Sequence, residues 1–272
     1  MDLTVSIAST NEAHYIKPLL ETLYQAAPGI EMEVLVIDNA CDDDTAALAQ
    51  GNYPGLRVVR NTARKPFTVN HNIGIEQARG KYVLILNPDI LFEKGEPCLQ
   101  KMVDFMNATP QCGVSGCRVY NFDKEFAYPA RRYQSLRIIL SRRFAKLFFS
   151  KKVDDYYLYK DRPITDTFSC DWLSGCFLFG RREALLQAGG FDTGYTMYFE
   201  DVDICHMVRK AGWDVMYHGD TFYYHLEQRA SMKLFSRKAR QHIRSWLRWI
   251  FMRRLHLLPP RPAFDAKNST AL

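Results

Sequence analysis

The first 120 residues of this chain alternate short β-rich runs with segments of helical periodicity. The β-rich runs cover 3–8, 33–37, 56–59, 82–86 and 114–119, and several are apolar on both faces, as buried parallel strands are. Apolar residues repeat at helical spacing over 16–24, 68–78 and 96–107. This β-α-β-α order predicts a doubly wound, mostly parallel sheet, with a ligand outside the carboxyl ends of its strands.

The second half of the chain carries a different pattern. It predicts a strand over 172–179, helices over 181–188 and 200–211, and short strands over 215–217 and 222–224. A long amphipathic helix is predicted over 233–258, where Pro259 and Pro260 stop it. We therefore expect one α/β domain over residues 1–230, followed by a basic amphipathic helix and tail over 231–272.

The composition, 47% hydrophobic and 24% charged, is that of a soluble globular protein. No apolar stretch approaches the roughly 18 residues that a membrane span needs, and the first residues do not resemble a signal peptide. These observations predict a cytoplasmic protein. Its seven cysteines form no C-x-x-C pair, which favours free, mostly buried thiols over disulfides or a zinc site.

The formal charge of +6 is distributed unevenly. Residues 126–153 include eight basic and no acidic side chains, and residues 228–264 include ten basic and none acidic, which leaves the remainder at 6 − 18 = −12. Tryptophan and arginine on one long helix suit the surface of an anionic membrane. The alternative is a helix docked on its own domain or on a second subunit of a homodimer. Nothing resembles a nucleic-acid-binding module, so no nucleic-acid partner is expected.

Polar residues stand directly after four of the predicted strands. They are Thr10 and Asn11, Asp38, Asn61, and Asn87 with Asp89. On a doubly wound sheet these ends meet in one cleft that can hold a nucleotide. Asp38 suits a ribose hydroxyl or a base N–H because a charged acceptor makes the stronger hydrogen bond. A helix cap or a turn former is the structural alternative for Asp38.

Asp89 follows the apolar run 83–86, which is too hydrophobic for an edge strand, and Pro88 breaks that strand. A diphosphate leaving group needs its negative charge neutralised, and Mg²⁺ or Mn²⁺ held by one or two carboxylates does this. Asp89 is therefore a candidate metal ligand, with an ordinary turn as the alternative.

Three carboxylates occupy four consecutive positions, at Glu200, Asp201 and Asp203, directly behind Tyr198 and Phe199. Like charges this close raise one another's pKa, which is costly for a purely structural role. Acidic residues also favour helix N-termini, so capping of the following helix is one interpretation. The other is that one carboxylate is a general base.

Ten short motifs stand in the order found in family 2 glycosyltransferases, which the chain resembles over roughly residues 3–230. The resemblance is to the bacterial rhamnosyltransferase-like branch that builds O-antigen and other surface polysaccharides. The motifs are Val5-Ser6-Ile7 with Thr10-Asn11, Val36-Ile37-Asp38-Asn39, Arg60-Asn61, Asn72-Ile73-Gly74, Leu86-Asn87-Pro88-Asp89, Asp171-Trp172-Leu173-Ser174-Gly175, Gly190-Phe191-Asp192, Phe199-Glu200-Asp201-Val202-Asp203, Ala211-Gly212-Trp213 and His225.

The resemblance implies a GT-A fold, with a donor half at about 1–120 and an acceptor and catalytic half at about 165–230. It implies an inverting hexosyltransferase whose donor is a nucleoside-diphosphate sugar, dTDP-rhamnose before a UDP-sugar, and whose acceptor is a glycan or a lipid-linked sugar at the inner face of the cell membrane. The implied donor residues are Thr10, Asn11, Asp38, Asn61, Asn72, Asn87 and Asp89.

The same resemblance assigns the remaining roles. Asp201 matches the catalytic base, with Glu200 beside it, and Asp89 and His225 match ligands of Mg²⁺ or Mn²⁺. Trp172, Asp171 and Asp192 lie where a sugar is bound. From the residues alone, His225 is equally well read as a packed core histidine.

The chain departs from the family pattern at three positions. Asn87 stands where many relatives carry the first aspartate of a D-x-D pair, which leaves one charged ligand. Pro66 and Asn70 stand where relatives often have glycine, and proline offers no backbone N–H to a phosphate.

Two other functions are compatible with parts of the pattern. A sugar nucleotidylyltransferase shares the sheet but needs a glycine-rich basic loop after the first strand, which residues 10–14 do not provide. A non-catalytic partner that binds a nucleotide-sugar or a membrane would tolerate loss of Asp201.

Overall fold

The computed structural model describes residues 1–45, 47, 53–134, 138, 151–226 and 237–254. Its strands are β1 (Leu3–Ser9), β2 (Met32–Asp38), β3 (Leu56–Arg60), β4 (Tyr82–Leu86), β5 (Ile90–Leu91), β6 (Cys112–Tyr120), β7 (Ala130–Arg131), β8 (Thr167–Ser169), β9 (Trp172–Leu173), β10 (Phe177–Arg181) and β11 (Asp214–His225). Its helices are α1 (Ala13–Gln25), α2 (Phe67–Gln77), α3 (Cys98–Ala108), α4 (Lys151–Tyr157), α5 (Arg182–Gln187), α6 (Glu200–Lys210) and α7 (Arg237–Trp249), which continues into a π-helix (Ile250–Arg254).

Among the residues that the structure describes, nine strands form the central sheet, in the order β3-β2-β1-β4-β10-β6-β11-β5, with β8 paired to β11. The pairs among β3, β2, β1 and β4 are parallel, as is β6 with β11. β10 enters antiparallel between β4 and β6, and β5 pairs antiparallel with the end of β11. The expected mixed α/β architecture around a mostly parallel sheet is confirmed.

Burial explains why the strands could be recognised in the sequence. β4 is buried along its whole length and β1 nearly so, because helices cover both faces of the sheet. On one face the core includes Leu19, Leu23 and Met102, and on the other it includes Phe191 and Trp249. Six of the seven cysteines are buried and all are free thiols, as expected.

Two predicted elements differ from the structure. The strand expected over 172–179 is two strands in different sheets, since β9 pairs with β7 and β10 lies in the central sheet. The two strands expected over 215–217 and 222–224 are one strand, β11, whose register shifts between His218 and Phe222. A register shift of this kind lets one strand follow the twisted sheet without ending.

The C-terminal helix packs on the α/β domain. Trp249 is 2% exposed and belongs to the same core as Phe199 and Val202 of the region around α6. The described part begins at Arg237, so both ends of the helix predicted over 233–258, and most of the basic segment 126–153, lie outside the described residues.

Candidate active site

Asn39, directly after β2, links the carboxyl ends of three strands. Its amide nitrogen donates to Thr10 Oγ1 over 2.9 Å and to the Lys65 carbonyl over 3.0 Å. Its amide oxygen accepts from the backbone N–H of Lys65 and from Asn61. Asn61 also donates to Asn70 Oδ1 over 2.7 Å. Thr10 and Asn61 are thus brought to one edge of the sheet, as the topology predicted.

Asp38 and Asn11 lie at the same edge. Asp38 Oδ1 accepts from the backbone N–H of Cys41 over 2.8 Å, and its Oδ2 lies 3.8 Å from Arg60 Nε. Asn11 is exposed, has a left-handed φ of 58°, and accepts from the backbone N–H of Asp42. Asp38 therefore forms a turn, as the structural interpretation of this residue predicted. The Asp38 carboxylate nevertheless lies at the predicted strand end.

Asp89 and His225 come together although 136 residues separate them. His225 Nε2 lies 3.2 Å from Asp89 Oδ1, because β5 pairs with the end of β11 and the backbone N–H of Leu226 donates to the Asp89 carbonyl. Burial alone would lower the pKa of His225, but its hydrogen bonds with Asp89 and Cys176 raise it to about 11. A carboxylate oxygen suits Mg²⁺ or Mn²⁺, and a neutral imidazole nitrogen is the commonest side-chain ligand of metals in general.

Asp89 and His225 could supply two protein ligands to a metal ion. Among the described residues no group of three or more His, Cys, Asp and Glu side chains is arranged to hold an ion. Cations that act on phosphates commonly take one or two protein carboxylates and complete their shell with phosphate oxygens and water. The pair Asp89 and His225 fits a cation of that kind.

A three-residue segment between β9 and β10, Ser174-Gly175-Cys176, lies between this pair and Asp201. The backbone N–H of Gly175 donates to Asp201 Oδ2 over 3.2 Å. The carbonyl of Cys176 accepts from the backbone N–H of Asn87 over 2.9 Å, and the Cys176 thiol is hydrogen-bonded with His225. Neighbouring residues of one segment thus contact Asp201 on one side and the Asp89 region on the other.

Glu200 and Asp201 begin α6 and are electrostatically unusual. Burial, together with the charge of Asp201, raises the pKa of Glu200 to about 8. Burial also raises the pKa of Asp201, against the attraction of Arg131 and the backbone N–H groups of Val202 and Gly175. Asp201 Oδ1 accepts from the N–H of Val202, so the capping interpretation is met in part. Capping alone does not account for the raised pKa of Glu200, which identifies a functional-site candidate.

Trp172 and Asp171 lie beside this pair of carboxylates. Trp172 is 3% exposed, donates from Nε1 to the Arg132 carbonyl, and has the guanidinium of Arg131 4.9 Å from its ring. Asp171 accepts from the backbone N–H of Tyr133 over 2.7 Å. Both side chains therefore order the 130–133 segment that carries Arg131, and Asp171 stays half-buried.

Two of the predicted site residues have their polar atoms engaged within the fold. The amide of Asn72 donates to the Phe191 carbonyl and accepts from the Phe191 N–H, over 2.9 and 2.7 Å. Asp192 is 6% exposed and binds the guanidinium of Arg248 through both carboxylate oxygens, at 3.1 and 3.0 Å. We therefore treat Asn72 and Asp192 as residues that shape the site, in place of direct sugar ligands.

Asn39 stands in the same sequence motif as Asp38, but no role was assigned to it. Three further residues of the site were not among the candidates from sequence. Cys176 is a buried thiol in an apolar run. Arg131 lies in a basic segment that gave no reason to single it out. Glu12 has a pKa raised by burial and by the nearby charge of Asp89. Only pairing over long sequence separations reveals these neighbours.

The strand order, with polar strand ends on one side and the paired carboxylates of α6 on the other, is that of the GT-A fold. The model of the family described as "Glycosyl transferase family 2" matches residues 4–187. The chain belongs to glycosyltransferase family 2, whose members invert the configuration of the sugar. This membership decides against the nucleotidylyltransferase and against a non-catalytic partner.

Two curated relatives are rhamnosyltransferases. The chain is 27% identical over 262 residues to rhamnosyltransferase WbbL of Escherichia coli K12, covering 92% of this chain and 93% of that protein. It is 28% identical over 228 residues to the N-acetylglucosaminyl-diphospho-decaprenol L-rhamnosyltransferase of Mycobacterium tuberculosis, covering 74% of this chain and 73% of that protein.

Solved structures share the fold at lower identity. The mannosyltransferase PcManGT from Pyrobaculum calidifontis, in complex with GDP-Man and Mn²⁺, superposes with a TM-score of 0.62 at 20% identity, covering 99% of this chain and 68% of that one. The crystal structure of residues 1–349 of S. aureus TarS superposes with a TM-score of 0.57 at 17% identity, covering 93% and 72%.

Proposed function

We propose that this glycosyltransferase moves rhamnose from dTDP-rhamnose to a hydroxyl of a glycan or lipid-linked acceptor, during assembly of a surface polysaccharide. The observation that carries the proposal is the segment 174–176, which contacts Asp201 and the Asp89–His225 pair from neighbouring residues. The choice of rhamnose rests on the two rhamnosyltransferase relatives, one of which is named for a lipid diphosphate acceptor. A UDP-sugar is the next donor to test.

In this mechanism Asp201 accepts the proton of the acceptor hydroxyl while that oxygen attacks the anomeric carbon opposite the diphosphate. Burial and the charge of Asp201 raise the pKa of Glu200 to about 8, so Glu200 keeps its proton at neutral pH, and we assign the role of base to Asp201. The hydrogen bonds from Gly175 and Val202 orient the Asp201 carboxylate. Burial raises the pKa of Asp201, and the positive charge of Arg131 opposes that rise and so favours the ionised form.

Asp89 and His225 would hold Mg²⁺ or Mn²⁺ against the diphosphate, with Asn87 in the same strand end. Such a cation, when bound, neutralises the charge that develops on the leaving nucleoside diphosphate. The PcManGT complex with Mn²⁺ supports this choice of metal. On the nucleotide side, Thr10, Asn11, Asp38 and Asn61 surround the base and ribose, and the Asn39 network fixes the spacing between their strands.

The outward face of α7 is the proposed contact with an anionic membrane. Ile243 and Leu247, four residues apart on α7, are 44% and 39% exposed and lie on one face. Phe251, in the π-helical turn that follows, is 41% exposed and adds to this apolar surface. The helix bears basic and no acidic side chains. In the part of the chain that the structure describes, no helix is both long and apolar enough to cross a bilayer. The contact that we propose is a peripheral one.

Vesicle sedimentation tests the membrane contact. Wild-type protein should bind phosphatidylglycerol vesicles and lose that binding in 0.5 M salt or in the double variant Ile243→Ser, Leu247→Ser. Equal binding to purely phosphatidylcholine vesicles would contradict an electrostatic contribution.

Thermal unfolding in the presence of candidate donors tests the proposed donor. A ligand that binds only the native state raises the melting temperature with its concentration. With Mn²⁺ present, dTDP-rhamnose should stabilise the protein more than UDP-glucose, GDP-mannose or free dTDP. Stabilisation by another donor alone, followed by its transfer, would replace rhamnose as the substrate.

A further inference from the structure

The segment that leads into the catalytic carboxylates is strained. Tyr198 and Phe199, directly before Glu200, both have a φ of 68°. Left-handed backbone is strained at a non-glycine residue, and it persists only where surrounding structure enforces it. Because the Phe199 carbonyl accepts the first hydrogen bond of α6, from Asp203, these two residues set the direction in which α6 begins.

The inner face of α7 contacts residues 196–199, which include the two strained residues. Ser245 Oγ donates to the Met197 carbonyl over 2.8 Å, and Gln241 donates to Thr196 Oγ1. The ring of His242 lies 5.2 Å from that of Tyr198 and 5.4 Å from that of Phe199. Helix α7 therefore holds the strained residues from one side.

Arg248 fixes the start of the same segment. Its guanidinium binds both oxygens of Asp192 and lies 5.4 Å from the ring centre of Tyr195, which is fully buried. From the opposite side, Thr68 Oγ1 of α2 donates to the Tyr195 carbonyl over 3.1 Å. Residues 192–199 are thus held between α2 of the donor half and α7.

We propose that α7 is a positioning element for the catalytic carboxylates, and that Arg248 is its principal positioning residue. This inference rests on the proposed function, in which Asp201 is the base. Through Asp192 and the segment that follows it, Arg248 holds the strained turn and so determines the direction in which Glu200 and Asp201 point. Loss of the Arg248 contact should lower the rate of transfer and leave donor binding nearly unchanged.

Gly194 offers a way to displace Arg248 without removing either charge. A Cβ atom at Gly194 would lie 2.1 Å from Arg248 Nη2 and 2.2 Å from its Cζ, so the flexible guanidinium must move away. Gly194 has no left-handed φ, so alanine suits its backbone. Gly194→Ala and Arg248→Met therefore break the same ion pair in two independent ways.

The experiment measures kcat, KM for donor, and the donor dissociation constant for Arg248→Met, Arg248→Lys and Gly194→Ala. Donor binding by calorimetry counts folded sites. Lys210→Met, which removes an exposed positive charge from α6, is the matched control. We expect kcat per folded site to fall about tenfold or more in Arg248→Met and Gly194→Ala, because small displacements of a catalytic group are costly. Arg248→Lys should recover part of that loss, and donor affinity should stay within about threefold of wild type.

A role in stability alone predicts lower melting temperatures with kcat per folded site unchanged in all three variants, and that result would overturn the inference. Loss of donor binding in step with kcat would also overturn it. Asp201→Asn, assayed in parallel, distinguishes the proposed base from the proposed positioning role of Arg248. If Asp201→Asn stays active, the proposed base is wrong, whereas if it is inactive and the Arg248 variants are fully active, only the positioning role is wrong.

Discussion

The backbone N–H of Gly175 donates a hydrogen bond to Oδ2 of Asp201 over 3.2 Å. The next residue, Cys176, accepts from Asn87 through its carbonyl and contacts His225 through its thiol. Consecutive Cα atoms are about 3.8 Å apart, so one short segment connects the proposed base with the proposed metal site. A sugar diphosphate bound between the two sites would have its anomeric carbon near Asp201 and its phosphates near Asp89 and His225.

Gly175→Ala should impair transfer. A Cβ atom at this position would lie 3.2 Å from Asp201 Cβ, a tight contact that Asp201 can relieve only by moving a few tenths of an ångström. We expect kcat to fall by up to about tenfold, since a slightly misplaced catalytic group loses part of its effect. Steady-state kinetics with donor at saturation measures this. An unchanged kcat would indicate that the position of Asp201 relative to this segment is unimportant.

Asn72→Ala should lower stability more than donor affinity. The substitution leaves the buried N–H and carbonyl of Phe191 without their side-chain partner, at a cost of about 1–3 kcal/mol for each group. Chemical denaturation and donor calorimetry check the two effects separately. Strongly weakened donor binding with unchanged stability would indicate that Asn72 contacts the donor directly.

Glu200→Gln should stabilise the protein most at alkaline pH. The native pKa of Glu200 is raised from 4.5 to about 8, so the folded state retains a proton that the unfolded state loses. Wild-type stability therefore declines as pH rises from about 4.5 to about 8, then levels off, and glutamine removes that decline. The melting temperature of the variant relative to wild type should rise by about 2 °C or more between pH 5 and pH 8. An identical difference at both pH values would contradict the raised pKa.

Mn²⁺ binding should release a proton from His225. In the metal-free protein the pKa of His225 is about 11, so its imidazole is protonated at pH 7 and must lose that proton to bind a cation. With dTDP present, affinity for Mn²⁺ should rise with pH, by up to about tenfold per unit. Calorimetry in buffers of different ionisation enthalpy counts the protons. His225→Gln should abolish both the release and the pH dependence; a pH-independent affinity in wild type would exclude His225 as a ligand.

Much of the fold follows from local pattern. β1, β2 and β4 are recognisable because burial on both faces demands continuous apolar runs, and the strand-end positions of Asp38 and Asp89 follow from the same order. The run 172–179 misled because only Ser174 and Gly175 interrupt an otherwise apolar stretch. The chain passes from one sheet to the other at residues 174–176, and two residues are too short an interruption to separate the strands by periodicity.

Long-range partners account for what the sequence left open. The family resemblance implied Asp192 as a sugar-binding residue, whereas its hydrogen bonds with Arg248, 56 positions away, cannot be foreseen from the sequence. The tail pattern was compatible with a membrane, a subunit or its own domain, since amphipathicity tells only that one face is covered. The structure assigns the inner face of α7 to the segment 192–199, and its outer apolar surface keeps the membrane as a proposal.

Transfer by Asp201→Asn tests the central claim most directly. Asparagine keeps the size of the side chain and cannot accept the hydroxyl proton. Initial rates with saturating donor and Mn²⁺ should fall by about a hundredfold or more, the contribution typical of a general base. Donor affinity, measured on the same sample, should stay within about twofold of wild type. Turnover near the wild-type rate would contradict the account, because Asp201 would then not be the group that takes the proton.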